Sequence, residues 1–326
     1  MDKDKLALIL AGASVGAAGL TAGIASTMLI NRTLMRPKET SQDIIKEFAD
    51  PEKMAGYALK MAPVGEWLQA QHMEDLWLES FDGLRLHAFY LPAPAPSRKL
   101  VIIHHGFTSK AMDNATHAKF FHEMGYEVLL LDLRAHGGSD GEYVGFGILD
   151  RFDTLEWVKY VRKRFGTDIR IVLHGTSMGG ATVLMALGLP EIQETVSAVI
   201  ADCGYTSPSD IFSYVIQKNY HLPPAPILKA TNLRVQSMAG YRYDDYSTVD
   251  ALKNNRVPVL FIHGKEDKFV PTWMSQMNYD VCTGKKQLLF MENAGHGSSL
   301  FENPSLYEKT EKDFLAEVMG EDVKNP

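Results

Sequence analysis

The sequence predicts an α/β fold, a doubly wound and mostly parallel sheet. Three observations predict it. Short apolar runs recur along the chain and read as buried parallel strands. Helix-period segments alternate with them after an initial hairpin. The length of 326 residues, 45% of them hydrophobic and 22% charged, suits one large domain with additions.

Leu6 to Ile30 is 25 residues without a charge. As a helix this run is long enough to cross a bilayer, and it exceeds the apolar core of a typical cleaved signal. Residues 1–30 are therefore expected to be an N-terminal membrane anchor. Cleavage after Ala25 would instead give a secreted protein. Lys3 and Lys5 precede the run while Arg32, Arg36 and Lys38 follow it, so flanking charge does not fix the orientation. The expected location is a single-pass anchor with an extracytoplasmic catalytic domain. Gly12, Gly16, Gly19 and Gly23 form a stripe suited to self-association, or simply reflect the small residues common in export segments.

Residues 31–75 read as a connector with helical pieces. Ser41 caps a helix over Gln42–Ala49, Asp50–Pro51 ends it, and Trp67 and Leu68 pack on the main domain. On this division, removing residues 1–30 is expected to leave an active soluble domain.

The main domain spans 76–326. Leu76–Ser80 and Leu84–Leu91 flank Phe81–Asp82–Gly83, a hairpin signal. Strands follow at Leu100–His105, Tyr126–Leu133, Ile169–Leu173, Val196–Ala201, Val257–Ile262 and Gln287–Met291. Helices are expected over Ala111–Met124, Asp150–Phe165, Ala181–Leu187 and Glu308–Met319. Residues 205–250 break the rhythm. They are rich in Tyr and Pro, among them Tyr214, Tyr220, Tyr241, Tyr243 and Tyr246. The segment reads as a helical cap over the C-terminal strand ends, lining the ligand site.

A net charge of −7 gives no basic footprint for nucleic acid. Cys203 and Cys282 are too few for a disulfide framework, and no His/Cys spacing suggests a metal site. Neither metal nor cofactor is expected.

The chemistry centres on Gly175–Thr176–Ser177–Met178–Gly179, which lies between a strand and an apolar helix. That context makes Ser177 a nucleophile on a turn too tight for Cβ atoms at its flanking glycines. Gly137–Gly138–Ser139–Asp140–Gly141 has the same pattern but no adjoining strand, and reads as a glycine-rich loop. Serine needs a base and the base needs an orienting acid. His296, on a loop between two glycines after the last strand, is the best base, with His104, His105, His174 and His263 at strand ends. Asp267, after Val257–Ile262, is the leading acid, with Asp202 and Glu266 as rivals. The oxyanion donors are expected to be the backbone N–H groups of Met178 and of Phe107, within His105–Gly106–Phe107–Thr108.

The order Ser177, Asp267, His296, together with the His-Gly-Phe loop and Gly-Thr-Ser-Met-Gly, resembles the α/β-hydrolase superfamily over residues 76–319. Asp132–Leu133–Arg134–Ala135–His136–Gly137–Gly138–Ser139 is similar to a loop of its serine aminopeptidase and monoacylglycerol-lipase-like branch. Many members carry His where this chain has Thr176, which loosens the subfamily assignment. The resemblance implies acyl transfer to water without a cofactor, and the motifs do not specify the substrate. An uncharged carboxylic ester suits a cap rich in Tyr and poor in clustered bases. An amide or peptide substrate uses the same residues, and a binding module on this fold would use none of them.

Overall fold

The computed structural model describes residues 22–38 and 51–320. Eight strands form one sheet: β1 (Glu74–Glu79), β2 (Arg85–Leu91), β3 (Lys99–His104), β4 (Glu127–Asp132), β5 (Arg170–Thr176), β6 (Val196–Asp202), β7 (Val259–Gly264) and β8 (Lys286–Met291). Their order across the sheet is β1-β2-β4-β3-β5-β6-β7-β8. The hairpin β1–β2 and the β2–β4 pair are antiparallel, and the remaining pairs are parallel. Both faces are covered, so the central strands need no polar side. Along β3, Leu100 and Ile102 enter the core on one face while Val101 and Ile103 enter the core on the other. Each such side chain stabilises the fold by roughly 1.5–3 kcal/mol on full burial.

The helices are α1 (Pro51–Gln69), α2 (Ala115–Glu123), α3 (Asp150–Phe165), α4 (Met178–Ala186), α5 (Pro190–Thr195), α6 (Pro208–Tyr220), α7 (Pro224–Ala239), α8 (Thr248–Leu252), α9 (Trp273–Val281), α10 (Ser299–Glu302) and α11 (Pro304–Met319). Parallel neighbours require crossovers, and α3, α4 and α9 supply three of them. Between β6 and β7 the chain makes only α6, α7 and α8, the expected helical insertion.

Three expectations are affected. The helix expected over Gln42–Ala49, and its end at Asp50–Pro51, lie outside the described residues, and the connector that follows is a 19-residue helix over Pro51–Gln69.

The second change concerns the cap tyrosines. Tyr241 and Tyr243 are buried, as is Tyr205 before them. Tyr205 donates to Phe146 O at 3.1 Å and Tyr241 to Val144 O at 2.5 Å. These side chains bolt the cap to the body and leave no polar tip facing a ligand.

The third concerns the anchor expected over 1–30. Residues 1–21 lie outside the described residues. Residues 22–33 are helical, and Ala22, Ser26, Ile30 and then Leu34 are buried. That spacing is one helix face, and the face packs on the domain. Among the described residues no helix is long and apolar enough to cross a membrane. Residue 30 is thus no boundary: a chain cut there loses three of those four buried side chains.

Candidate active site

Strand β5 delivers Ser177 to its C-terminal end, where the backbone turns straight into α4. Ser177 has φ 57° and ψ −114°, a conformation costly for a residue with a side chain. Its neighbours keep it there. A Cβ on Gly175 would lie 2.2 Å from Gly179 O, and one on Gly179 would lie 2.2 Å from His104 O. Ser177 N–H donates to Asp202 O at 2.8 Å, and Ser177 O accepts the first helical bond from Ala181 N at 2.9 Å. The side chain projects from the turn towards the loop after β8.

On that loop, His296 Nε2 is 2.8 Å from Ser177 Oγ, and His296 Nδ1 is 2.6 Å from Asp267 Oδ2. Gly264 lets the loop close onto the end of β7, because a Cβ there would lie 2.3 Å from Ala294 O. Asp267 follows β7 and is fully satisfied. Its Oδ1 accepts from Phe269 N (2.8 Å) and Val270 N (2.9 Å). Its Oδ2 also accepts from His263 Nε2 at 3.1 Å. Burial by itself would raise the Asp267 carboxyl, but the His296 charge and the bonds from both imidazoles hold it well below the usual carboxylate range. Burial works against a charged His296, and the Asp267 carboxylate outweighs it, so the imidazole sits above its ordinary value.

The rival residues are placed differently. Among the described residues no imidazole nitrogen meets the Ser139 hydroxyl. That hydroxyl donates to Asp132 O at 2.6 Å and accepts from His87 N at 2.8 Å. Asp202 is buried and its carboxyl is pushed up to about 7 by desolvation. It supports Ser177 through its main-chain oxygen and accepts from Ser299 Oγ at 3.4 Å. Glu266 is exposed. His104 and His174 are fully buried, which pushes each down to about 3 and keeps it neutral.

His263 has a role that the sequence does not announce. Its Nε2 faces Val270 O (2.9 Å) and Asp267 Oδ2, two acceptors, so that nitrogen carries the proton. Nδ1 then accepts from Ser275 Oγ at 2.6 Å. His263 is a second clamp on the carboxylate. Only its place four residues before Asp267, at the end of the same strand, hints at this.

The loop after β3 lies against the nucleophile: a Cβ on Gly106 would be 3.5 Å from Ser177 Cβ. Two neutral histidines brace it. His105 Nδ1 donates to Gly106 O at 2.6 Å, and its Nε2 accepts from Leu133 N at 3.0 Å. His136 Nδ1 donates to Arg134 O at 2.9 Å, and its Nε2 accepts from Thr108 N at 3.2 Å. Met178 N–H, the first amide of α4, precedes the intrahelical ladder and is free of it. With Phe107 on the braced loop, these amides stand on the two segments that border Ser177.

Among the described residues, Cys203, Asp267 and His296 offer three potential metal ligands within 4.8 Å of one another. A cation there would have to displace the Asp267–His296 hydrogen bond.

A strand-turn-helix serine, a histidine after the last strand and an acid after the strand before it, on this sheet order, define the α/β-hydrolase fold. The family model described as serine aminopeptidase, S33, matches residues 95–235. The YqkD protein of Bacillus subtilis is 29% identical over 249 residues, covering 73% of this chain and 81% of that one. The alpha/beta hydrolase domain-containing protein WAV2 of Arabidopsis thaliana is 27% identical, covering 77% and 81%. The Pyrococcus furiosus esterase Pf2001 superimposes with a TM-score of 0.62 at 21% identity, covering 77% of this chain and 94% of that one. Est1E of Butyrivibrio proteoclasticus, solved with ferulic acid bound, gives 0.57 at 20%, covering 75% and 99%. Together these similarities support the α/β-hydrolase superfamily.

Proposed function

We propose that the chain is a serine hydrolase that cleaves uncharged carboxylic esters through an acyl-enzyme. The observation that carries this reading is the continuous hydrogen-bond chain Ser177–His296–Asp267. His296 Nε2 takes the Ser177 proton as Oγ attacks the ester carbonyl. The oxyanion forms between the N–H groups of Phe107 and Met178. His296 then protonates the leaving alcohol, and water, activated by the same imidazole, releases the acid. Asp267 fixes the tautomer and stabilises the imidazolium. An ester asks less of this acid step than an amide, because an alkoxide leaves more readily.

Amide or peptide cleavage is the second reading, and the serine aminopeptidase model over residues 95–235 favours it. A matched series of p-nitrophenyl esters, the corresponding anilides and aminoacyl anilides decides between them. We expect the esters to give the higher kcat/KM, and the opposite order overturns the ester reading. Failure of a fluorophosphonate probe to label the folded full chain at Ser177 would overturn both, leaving a non-catalytic module.

We also propose that the uncharged run from Leu6 attaches the protein to a membrane, with the catalytic domain outside the cytoplasm. Resistance of the full chain to alkaline extraction from membranes tests the attachment.

A further inference from the structure

Residues 22–36 are fastened to the domain along their whole length. Ala22, Ser26, Ile30 and Leu34 are buried on one side. Thr27 Oγ1 donates to Gly23 O, so it accepts from Arg234 Nη1 of the cap helix α7 at 2.7 Å. Thr33 Oγ1 donates to Leu29 O, so it accepts from Tyr243 Oη at 3.2 Å. Val144 N donates to Leu34 O at 2.8 Å, and Arg36 N to Glu142 O at 2.7 Å. The Arg36 guanidinium closes the strap by donating to Ser139 O (2.7 Å) and Gly137 O (2.6 Å).

The other side of the same helix is open and changes character along its length. Ile24 is 51% exposed and Met28 67% exposed. One turn on, the exposed residues are Asn31 and Arg32. Upstream, Leu6–Thr21 contributes 16 uncharged residues. A spanning helix needs about 20. On the membrane attachment proposed above, an apolar span of that length draws on the first turn or so of the docked helix, where Ile24 is the large apolar residue that faces outward. Arg32 stands where a cation would reach headgroups.

We propose that the outward face of residues 22–33 is a one-sided lipid contact. Ile24 lies in the hydrocarbon edge of a bilayer, Met28 at its boundary, and Asn31 and Arg32 among the headgroups. The partner is a lipid surface, and the inference rests on the membrane attachment proposed above. Because the inward face is bolted to α7 and Tyr243, the cap is held at the membrane surface by a rigid joint.

The test uses the full chain reconstituted in phosphatidylethanolamine–phosphatidylglycerol vesicles, spin-labelled at Ile24→Cys, Met28→Cys, Asn31→Cys or, as an aqueous reference on α1, Leu59→Cys. The native Cys203 and Cys282 are buried and stay in place. Collision with oxygen against a water-soluble nickel chelate reads depth. The expected order of oxygen preference is 24, then 28, then 31, then 59, with position 24 severalfold above the reference. Positions 24 and 31 are separated by about 10 Å along the helix, which this method resolves. Vesicles that float without the protein overturn both the attachment and this contact. Protein that floats with labels at 24 and 28 as water-accessible as at 59 overturns the contact alone and leaves a flexible tether. Spin–spin broadening at 24 with loss of oxygen preference would assign the face to a second copy instead. Near-ultraviolet circular dichroism identifies any variant that has not folded, and the independent labels at 24 and 28 keep the test open if one fails.

Discussion

Among the described residues the Gly-x-Ser-x-Gly pattern occurs twice, at 175–179 and at 137–141, and the two segments use it for opposite ends. At 175–179 the glycines permit the crossing of β5, α4 and the β3 end, and the serine is left facing a base 2.8 Å away. At 137–141 the loop folds around a carboxylate. A Cβ on Gly137, whose φ is +48°, would lie 2.1 Å from the Asp132 carboxyl. Gly138 N donates to Asp132 Oδ2 at 2.8 Å, beside His87 Nδ1 at 2.8 Å, and Ala111 N donates to Oδ1 at 2.8 Å. There Ser139 spends its hydroxyl on the backbone. The pattern encodes close backbone approach. Chemistry comes from what the surrounding elements aim at the serine.

Substitutions can break this contrast, the largest effects first. Ser177→Ala should remove fluorophosphonate labelling and lower turnover by about 10⁶-fold, as for nucleophile loss in a related mechanism. Ser139→Ala should keep its labelling, and its loss in a folded variant would reverse the two assignments. Asp267→Asn should cost roughly 10⁴ in kcat while leaving the fold intact, since the carboxylate sets the His296 tautomer. Asp202→Asn should cost far less, and the reverse ranking would move the acid to β6. On the other loop the readout is stability. Ser139→Ala should destabilise by about 1–3 kcal/mol in chemical denaturation, because His87 N loses its acceptor in the interior.

The smallest effect is on pH dependence. His296 must be neutral to accept the proton, so kcat/KM rises as pH climbs through its value. Asp267 lifts that value above the ordinary 6.5. The acid limb should therefore have its midpoint above 6.5, and in Asp267→Asn the residual activity should show it displaced downwards. A midpoint unmoved by the substitution would detach the two groups.

Much of the sheet was legible because buried strands such as Val101–Ile103 and Leu129–Leu131 are continuous apolar runs. The elbow was legible for the same reason, since Ile171–Leu173 runs directly into the glycines. Ser177, Asp267 and His296 follow one another in an order that the topology brings together at the strand ends. The His263 clamp was not legible, because a histidine at a strand end reads alike whether it binds a carboxylate or fills space. Tyr241 and Tyr243 read as a pocket lining because composition does not say where a hydroxyl points. The docking of 22–33 was hidden by its own apolarity: a helix face buried in protein and one buried in lipid have the same composition.

The strap from Ala22 to Arg36 bears on how such a chain can be rearranged. Attachment segments are commonly treated as cassettes, exchanged at a boundary without consequence for the enzyme behind them. Here the boundary at residue 30 falls inside the folded unit, because Ala22, Ser26 and Ile30 are buried against the domain and Thr27 receives a bond from the cap helix. A chain begun at Ala22 retains every one of these contacts. A fusion joined after Ile30 lacks the buried Ala22, Ser26 and Ile30 and the bond from Arg234 to Thr27, so joining at that point uncovers the surface against which those side chains pack.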